Sequence, residues 1–293
     1  MNPSCLTSPR RRGGLPRPIG VTPLSRALVK RNTWTVSETA SAEAWVRDLR
    51  PLSARSAALS LLLGAEPPEL RGADLVRLGE TFGISGPTMR VALSRLVAAG
   101  ELTTADGVYA LTDRLAARQK ATLAQLAPAT EPFDGGWVTA VVVGAGSRSA
   151  SDRGELRRAM SAARFGELRE GVWMRPDNLT GARVERDELV HFTAIPDGGE
   201  VAAKALVARL WNLDEWAARA EALVRAFENP DVDEAPRLAV AAATVRHLRS
   251  DPMLPESLAP TNWPAQCLRR TYAAYRAELR RTVGLSPHPY AAA

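Results

Sequence analysis

The sequence contains very little cysteine and no hydrophobic run long enough to cross a membrane. Cys5 and Cys267 are the only cysteines among 293 residues, which is typical of a protein in a reducing cytoplasm and offers no cysteine-based metal site. No apolar stretch approaches the ~20 residues that span a bilayer, and the basic N-terminus lacks the apolar segment of a secretory signal. We therefore expect a cytoplasmic protein that does not bind a membrane.

The sequence also lacks the motifs of common catalytic sites. The three histidines, His191, His247 and His288, do not have the spacing of metal ligands, and there is neither a Walker loop nor a G-x-S-x-G motif. Gly144 and Gly146 follow a predicted strand without the third glycine of a dinucleotide-binding loop. His191 is predicted to be a strand residue with a satisfied hydrogen bond rather than a catalytic base. We expect no metal, no cofactor and no enzymatic activity.

Acidic residues are absent from residues 1–37, which contain seven basic side chains. The whole chain has a net charge of +6, so the remainder, lower by seven, carries −1. DNA affinity of a folded part must therefore come from local placement of arginine, not from a global positive field. Residues 1–40 are rich in Pro, Gly, Ser and Arg and are predicted to be disordered. They form either a basic arm that contacts phosphates or a dispensable extension, which is the interpretation we favour.

Two short helical patterns joined by a tight turn occupy residues 71–100. Ser85 is placed to cap the second helix, Pro87 lies in its first turn, and Gly100 ends it. The apolar residues at helical spacing are Leu75, Leu78, Gly79 and Phe82 in the first helix and Met89, Ala92, Leu93, Leu96 and Val97 in the second. This pattern predicts a helix-turn-helix.

A hairpin follows the two helices and a further helix precedes them. Asp106 and Gly107 are a strong turn signal between predicted strands at 102–104 and 108–111. The helical segment at 53–63 is expected to pack behind the second helix of the pair. Together these elements predict a winged helix-turn-helix.

The face of the second helix opposite its apolar stripe suits a DNA groove. There is no Asp or Glu between Ile84 and Gly100, and a helix in the major groove needs small or polar side chains, Arg or Ser/Thr, and no carboxylates. The residues predicted to contact DNA are Ser85, Thr88, Arg90, Val91, Ser94, Arg95, Thr104, Asp106 and Gly107. The alternative is a non-regulatory adaptor whose winged helix contacts another protein.

A second unit is predicted after a polar helix at 113–126, which Thr112 can cap. A helix of this kind commonly joins a winged domain to the next domain of the chain. The predicted elements beyond it are a strand at 137–143, a helix from Asp152 to Arg164, strands at 171–175 and 189–195, and a helix or strand near 201–210. This order matches the split β-α-β or ferredoxin-like plan.

From Trp211 onwards the pattern is helical, apart from a proline-punctuated connector at 251–264. There are three apolar stripes: Trp216, Ala220, Leu223, Val224 and Phe227; then Leu238, Ala242, Val245 and Leu248; then Leu268, Tyr272, Tyr275 and Leu279. These stripes either form a dimer interface or bury against their own chain.

Four stretches of the sequence resemble the PaaX-like repressors, a family named for the regulator of phenylacetate degradation. In chain order they read FGISGPTMRVALSRLVAAGEL, RFGELREGVWMRPDNL, LVARLWNLDEWAARAEALV and DPMLPESLAPTNWP. The resemblance implies a multidomain α+β protein with a winged helix-turn-helix, a central ferredoxin-like domain and a C-terminal helical domain. The expected boundaries are 1–50 for a disordered basic arm and short lead-in, 51–128 for the winged helix-turn-helix with its linker helix, 130–210 for the central domain, 211–283 for the helical domain and 284–293 for a tail.

The resemblance also implies a sequence-specific repressor of a catabolic operon, because family members are transcriptional repressors and the best-known one releases DNA on binding phenylacetyl-coenzyme A. We expect a homodimer on double-stranded operator DNA and a small-molecule effector, phenylacetyl-coenzyme A or another acyl-coenzyme A, that binds outside the winged domain. The effector site is left open. Trp173, Trp211, Trp216 and Trp263 are more typical of core than of a pocket, and the candidates for its phosphates are Arg175, Arg183, Arg186, Lys204 and Arg209.

The central domain resembles that of a CRISPR-associated nuclease, which holds a divalent metal with an Asp at the end of its first strand. Here residues 141–147, at the end of the corresponding strand, contain no carboxylate. A hard cation would have no anionic oxygen ligand there. A nucleic-acid-processing enzyme is therefore an alternative that we do not expect.

Overall fold

The computed structural model describes residues 36–282 except 66, 127, 144–148, 182 and 230–233. These residues form an α+β protein with antiparallel sheets, as predicted. The helices are α1 (Val36–Arg47), α2 (Ala54–Gly64), α3 (Gly72–Thr81), α4 (Gly86–Ala98), α5 (Asp113–Leu126), α6 (Ala150–Ala162), α7 (Gly199–Leu210), α8 (Leu213–Glu228), α9 (Glu234–Leu248) and α10 (Ala265–Thr282). The strands are β1 (Glu69–Arg71), β2 (Leu102–Ala105), β3 (Val108–Leu111), β4 (Trp137–Val142), β5 (Gly166–Arg169), β6 (Val172–Pro176) and β7 (Leu189–Ala194).

The N-terminal module, residues 51–112, packs α2, α3 and α4 against a small sheet. Its core includes the buried side chains of Ala57, Leu61, Leu62, Leu75, Leu78, Phe82, Met89, Leu93, Leu96 and Leu111. The two helices of the predicted pair cross closely at Gly79, where an added Cβ would lie 2.8 Å from Met89 Cε. The apolar stripes of α3 and α4 therefore form this core, with Val97 only partly buried.

The sheet of the N-terminal module has the order β1-β3-β2, and both pairings are antiparallel. Asp106 and Gly107 both have positive φ, 49° and 75°, as the tight turn of a two-residue hairpin requires. The Gly72 amide donates to the Gly107 carbonyl oxygen over 2.8 Å, which ties this turn to the start of α3. Strand β1 was not predicted from the sequence, because it has only three residues and directly follows two prolines.

A second sheet has the order β5-β6-β4-β7, with every neighbouring pair antiparallel. Strands β4 and β5 therefore run in the same direction with β6 between them, and α6 connects them. Two sequence predictions for this region are wrong. The N-cap of α6 is Ser149, whose hydroxyl accepts from the Asp152 amide, so the helix begins at Ala150 and not at Asp152. The short strand β5 was also missed.

Helices α8, α9 and α10 pack together, and their three predicted stripes contribute to one shared core. Helix α1 packs against α8, with Ala42 buried beside Ala218 and Ala222. The prediction of disorder through residue 40 is therefore wrong for residues 36–40, and the predicted short lead-in contains a helix that ends at Arg47. The rest of the predicted arm and the 284–293 tail lie outside the described residues.

Helix α5 joins the N-terminal module to the remainder of the chain. Three arginines hold its C-terminal end: Arg164 Nη2 donates to the Gln125 carbonyl oxygen over 2.5 Å, Arg249 Nε to Gln125 Oε1 over 3.1 Å, and Arg269 Nε to the Leu126 carbonyl oxygen over 2.7 Å. Cations are favourable at a helix C-terminus because the last carbonyls are unpaired there and carry negative partial charge. These contacts fix one end of α5 to the central sheet and the C-terminal helices.

Candidate nucleic-acid interface

Helix α4 has one fully buried face and one exposed face. Met89, Leu93 and Leu96 are at most 1% exposed and point into the module. The side chains on the other face, Thr88, Arg90, Val91, Ser94, Arg95 and Ala98, are all exposed. The exposed face contains every α4 residue that the sequence predicts to contact DNA.

The exposed N-terminus of α4 is capped by Ser85. The Ser85 hydroxyl accepts from the Thr88 amide over 3.4 Å and lies 2.8 Å from Thr88 Oγ1. Pro87 occupies the first turn, where a missing amide proton costs little. The cap starts the helix at a defined position, and it leaves two hydroxyls at an exposed helix end that favours anions.

Arg90, Val91, Ser94 and Arg95 form a compact patch, because residues four apart are neighbours on a helix surface. Neither arginine makes an ion pair with any residue that the structure describes. Val91 between them is 50% exposed. The side chains of Glu80 in α3 and Arg90 both lie close to Gly86. A Cβ added at Gly86 would lie 3.2 Å from Glu80 Oε1 and 3.4 Å from Arg90 Nη1. The patch offers two guanidinium groups, a hydroxyl and an exposed apolar surface.

The hairpin of β2 and β3 exposes Thr104, Asp106 and Gly107. The Asp106 carboxylate would be repelled by a phosphate backbone, and its positive φ is explained by the turn. Thr104 and the backbone of Gly107 carry no such charge, so they are the better candidates for nucleic-acid contact among these three residues.

Comparison with known proteins places the chain in a family. Residues 53–115 match the family model described as PaaX-like protein. The solved structure of the uncharacterized protein Rv0674 from Mycobacterium tuberculosis has 40% sequence identity and a TM-score of 0.70, and the match covers 80% of this chain and 99% of that one. The chain belongs to the PaaX-like family. No curated protein matches it. Membership of the PaaX-like family indicates a role in transcription regulation.

One of the five basic residues of this PaaX-like protein that the sequence offered for effector binding, Arg175, is not accessible. Arg175 is 1% exposed, donates to the carbonyl oxygens of Pro176 and Leu179, and lies over the Phe165 ring. Burial lowers its pKa below the ordinary arginine value. Its burial removes Arg175 from the five candidates for a contact with a ligand phosphate. Lys204 pairs with Glu200 and Arg186 with Glu188, while Arg183 and Arg209 are exposed.

The tryptophans considered for an effector pocket belong to hydrophobic cores. Trp173 of β6 is buried in the core that the second sheet forms with α6, and Trp211 packs beside α7. Trp216 and Trp263 stack in the C-terminal helices with centroids 4.6 Å apart. The core interpretation is confirmed for Trp173 and Trp216, while Trp211 and Trp263 are partly buried and pack against a core.

His191 and His247 have different environments. The Nε2 atom of His191 is buried and has no hydrogen-bond partner among the described residues, so the predicted satisfied hydrogen bond is wrong. His247 Nε2 lies 2.9 Å from the Trp216 carbonyl oxygen, and its ring stacks on the Trp216 ring. No group of three His, Cys, Asp or Glu side chains within the described part of the chain has a metal-binding arrangement.

A cavity of about 360 Å³ lies between the N-terminal module and the C-terminal helices, and sequence reasoning missed it. It is lined by α2, β3, α5, α9 and α10, and its lining includes Arg118, Arg249 and Arg276. These elements are far apart in the chain, and each contributes only a few residues to the lining. The only sequence signal for this site is the apolar stripes of α9 and α10, which look the same whether they fill a core or line a cavity.

No described helix is long and apolar enough to cross a membrane.

Proposed function

We propose that this PaaX-like protein is a sequence-specific DNA-binding regulator and that its N-terminal module is a winged helix-turn-helix. The observation that carries the proposal is the exposed face of α4, which has two arginines without ion pairs to described residues and no carboxylate. In a major groove, Arg90 or Arg95 would donate to guanine or phosphate, and Val91 would contact a thymine methyl group. The β2-β3 hairpin is the wing.

The full proposal is a homodimeric repressor that an effector releases from its operator. One module contacts a short site, and specificity across a genome needs more base pairs than that. Two modules supply them when their half-sites lie about one helical turn, or a multiple of it, apart. An effector such as an acyl-coenzyme A would release DNA if it bound better to a form in which this spacing is lost.

The test is fluorescence anisotropy with duplexes tiled across the protein's own promoter region. Arg90→Ala and Arg95→Ala are each expected to cost about 1–3 kcal/mol if the arginine reads a base, which lowers affinity roughly 5- to 150-fold. A phosphate contact would instead weaken all duplexes alike and lower the salt slope by about one. The matched control is Arg158→Ala, which removes an exposed arginine from α6. Unchanged operator affinity in both α4 variants would refute this interface.

The second candidate is an adaptor that uses α4 to contact a protein, and the exposed Val91 favours it. An adaptor would bind no tiled duplex more tightly than random DNA. The DNA-binding regulator is supported if the protein binds at least one duplex specifically. This binding should be lost with the α4 substitutions and kept in Arg158→Ala.

A further inference from the structure

The cavity of about 360 Å³ lies where the N-terminal module meets the C-terminal helices. Leu59 and Leu63 of α2 line one side, and Ala242 and Val245 of α9 line another. Ligand cavities in proteins have volumes of about 300–1,000 Å³, so this one has the size of a small-molecule site.

The charge of the lining is entirely positive. Three arginines and no acidic residue line the cavity, and none of the three makes an ion pair with a described residue. Arg118 and Arg249 are exposed, whereas Arg276 is half-buried. The Nε of Arg276 is buried without a hydrogen-bond partner among the described residues, and its Nη2 makes only a long contact of 3.5 Å to the Gly64 carbonyl oxygen. Arg276 can therefore accept an anionic partner without losing an existing ion pair.

We propose that this cavity binds a small apolar carboxylate, whose apolar body packs against α2 and α9 and whose carboxylate pairs with Arg276. The apolar walls select the body of the ligand, and a guanidinium fork pairs with the two oxygens of a carboxylate. Tyr272 also lines the cavity, and burial raises the pKa of its hydroxyl, so this group stays neutral and can donate a hydrogen bond.

Binding at this place regulates DNA recognition, a step that rests on the proposed function. Leu115, Arg118 and Thr122 on the body of α5 line the cavity, while the C-terminal end of α5 is held by arginines. Arg249 both lines the cavity and donates to Gln125. A ligand that draws Arg249 away from Gln125 or widens the cavity shifts α5, and with it the N-terminal module, relative to the remainder. Such a ligand favours one of two arrangements and so changes affinity for a two-site operator.

The proposed location differs from the one expected from the sequence. The predicted effector site lay wholly outside the winged domain, so that residues 130–293 alone would bind. The cavity needs α2, β3 and α5 as well as α9 and α10. Binding must therefore be measured on the full chain.

Calorimetry on the full-length protein tests the site directly, with 3-phenylpropanoate, benzoate and octanoate as probes. At least one carboxylate is expected to bind, and 3-phenylpropanamide, the neutral isostere, at least tenfold more weakly than 3-phenylpropanoate. Arg276→Gln is expected to lower carboxylate affinity at least tenfold. Ala242→Leu fills the cavity without changing its charge and is expected to abolish binding. Arg158→Gln on the distant α6 is the control and should bind as the unmodified protein does.

Three results would overturn the proposal: no binding of any of the three carboxylates, equal binding of acid and amide, or unchanged binding in both cavity variants. The melting temperature of each variant shows that it is folded. Operator release by the bound carboxylate is measured separately by anisotropy. A protein that binds the carboxylate but no promoter duplex refutes the proposed function and leaves the site assignment standing. Binding without any effect on operator affinity overturns the regulatory step.

Discussion

The imidazole of His247 lies between aromatic rings in the C-terminal helices. It stacks on Trp216 with centroids 4.4 Å apart, and the Trp45 ring lies 6.3 Å away. Burial lowers its pKa from 6.5 to about 4, although the hydrogen bond to the Trp216 carbonyl favours the protonated form. At neutral pH the ring is therefore uncharged, with its Nε2–H donating to that carbonyl.

This burial predicts a loss of stability in mild acid. Between pH 6.5 and about 4 the unfolded chain binds a proton on His247 that the folded chain does not. The free energy of unfolding therefore falls as pH decreases through this window, by up to about 3 kcal/mol. Urea denaturation at pH 7.5 and 5 measures the change. His247→Gln keeps a donor but cannot titrate, so its stability should depend less on pH; an identical pH dependence would contradict this origin.

Gly166 marks a close contact between β5 and the end of α7. An added Cβ would lie 2.7 Å from Leu210 Cβ and 3.1 Å from the Leu210 carbonyl oxygen. Neither atom is the end of a flexible side chain, so we expect Gly166→Ala to lower the free energy of unfolding by about 1–3 kcal/mol. Gly154→Ala in α6 is the matched control, because nothing lies within 4 Å there and alanine favours a helix by about 0.5–1 kcal/mol. In thermal unfolding we expect Gly166→Ala to lower the melting temperature and Gly154→Ala to raise it. Equal melting temperatures for the two variants would refute the close contact at Gly166.

At the scale of the element, one face of α4 packs in the core of the module and the other forms the proposed interface. Substitutions at Ser85 can test the stability of the helix and its DNA binding separately. Ser85→Ala removes the cap and should cost about 1 kcal/mol of stability. Ser85→Asp restores a cap oxygen and should keep the melting temperature close to that of the unmodified protein, but it places a carboxylate at the helix end that is proposed to face DNA. We expect Asp at this position to weaken operator binding at least tenfold while Ala weakens it little. A stable Asp variant with unchanged DNA affinity would place the interface elsewhere.

The elements that sequence predicted well are those whose signals are local. The stripe of α4, its serine cap and the Asp106-Gly107 turn all lie within a few residues of the structure they specify. The misses have non-local causes. Strands β1 and β5 are three and four residues long and exist only through pairing with β3 and β6. Helix α1 owes its position to α8, far along the chain.

The candidate interface could be predicted for a similar reason, because one helix presents most of it. The face of α4 follows from helical spacing once the buried stripe is known. The cavity could not be found in this way, since α2, α5, α9 and α10 meet there only in the folded chain. Tertiary packing also decides whether a half-buried arginine such as Arg276 forms an ion pair with an acidic side chain of its own chain, and the sequence alone does not show this. Domain limits at 51–128, 130–210 and 211–283 stay predictions.

For the whole molecule, the excess of positive charge is concentrated in the first residues of the sequence. Removing residues 1–33 takes away all seven basic side chains of that region and leaves a chain with a net charge of −1. We expect this deletion to leave the melting temperature and operator affinity unchanged, because the favoured interpretation is a dispensable extension. The deletion ends before α1, which packs on α8. A large loss of affinity, together with a flatter salt dependence, would show instead that the segment is a DNA-binding arm.

The proposed dimer needs a surface, and the apolar stripes of the C-terminal helices do not provide it. They pack within their own chain, either in the shared core or along the cavity. The edge strand β7 does leave apolar side chains exposed: Val190 is 38% exposed, Phe192 54%, and Ile195 just beyond the strand 73%. Edge strands present unpaired backbone groups, and a two-fold axis beside β7 would join two sheets through one self-complementary contact.

This geometry makes Phe192→Asp the decisive variant for the assembly. Its side chain is exposed, so the substitution should leave the monomer folded, while two carboxylates near the axis would oppose association. We expect sedimentation to change from dimer to monomer and operator affinity to fall at least tenfold, since one module reads too few base pairs. Val143→Asp, a 44% exposed valine just after β4, is the matched control and should remain dimeric. If Phe192→Asp sediments as a dimer and binds the operator normally, the two-fold contact does not involve β7, and the modules must be brought together by another surface.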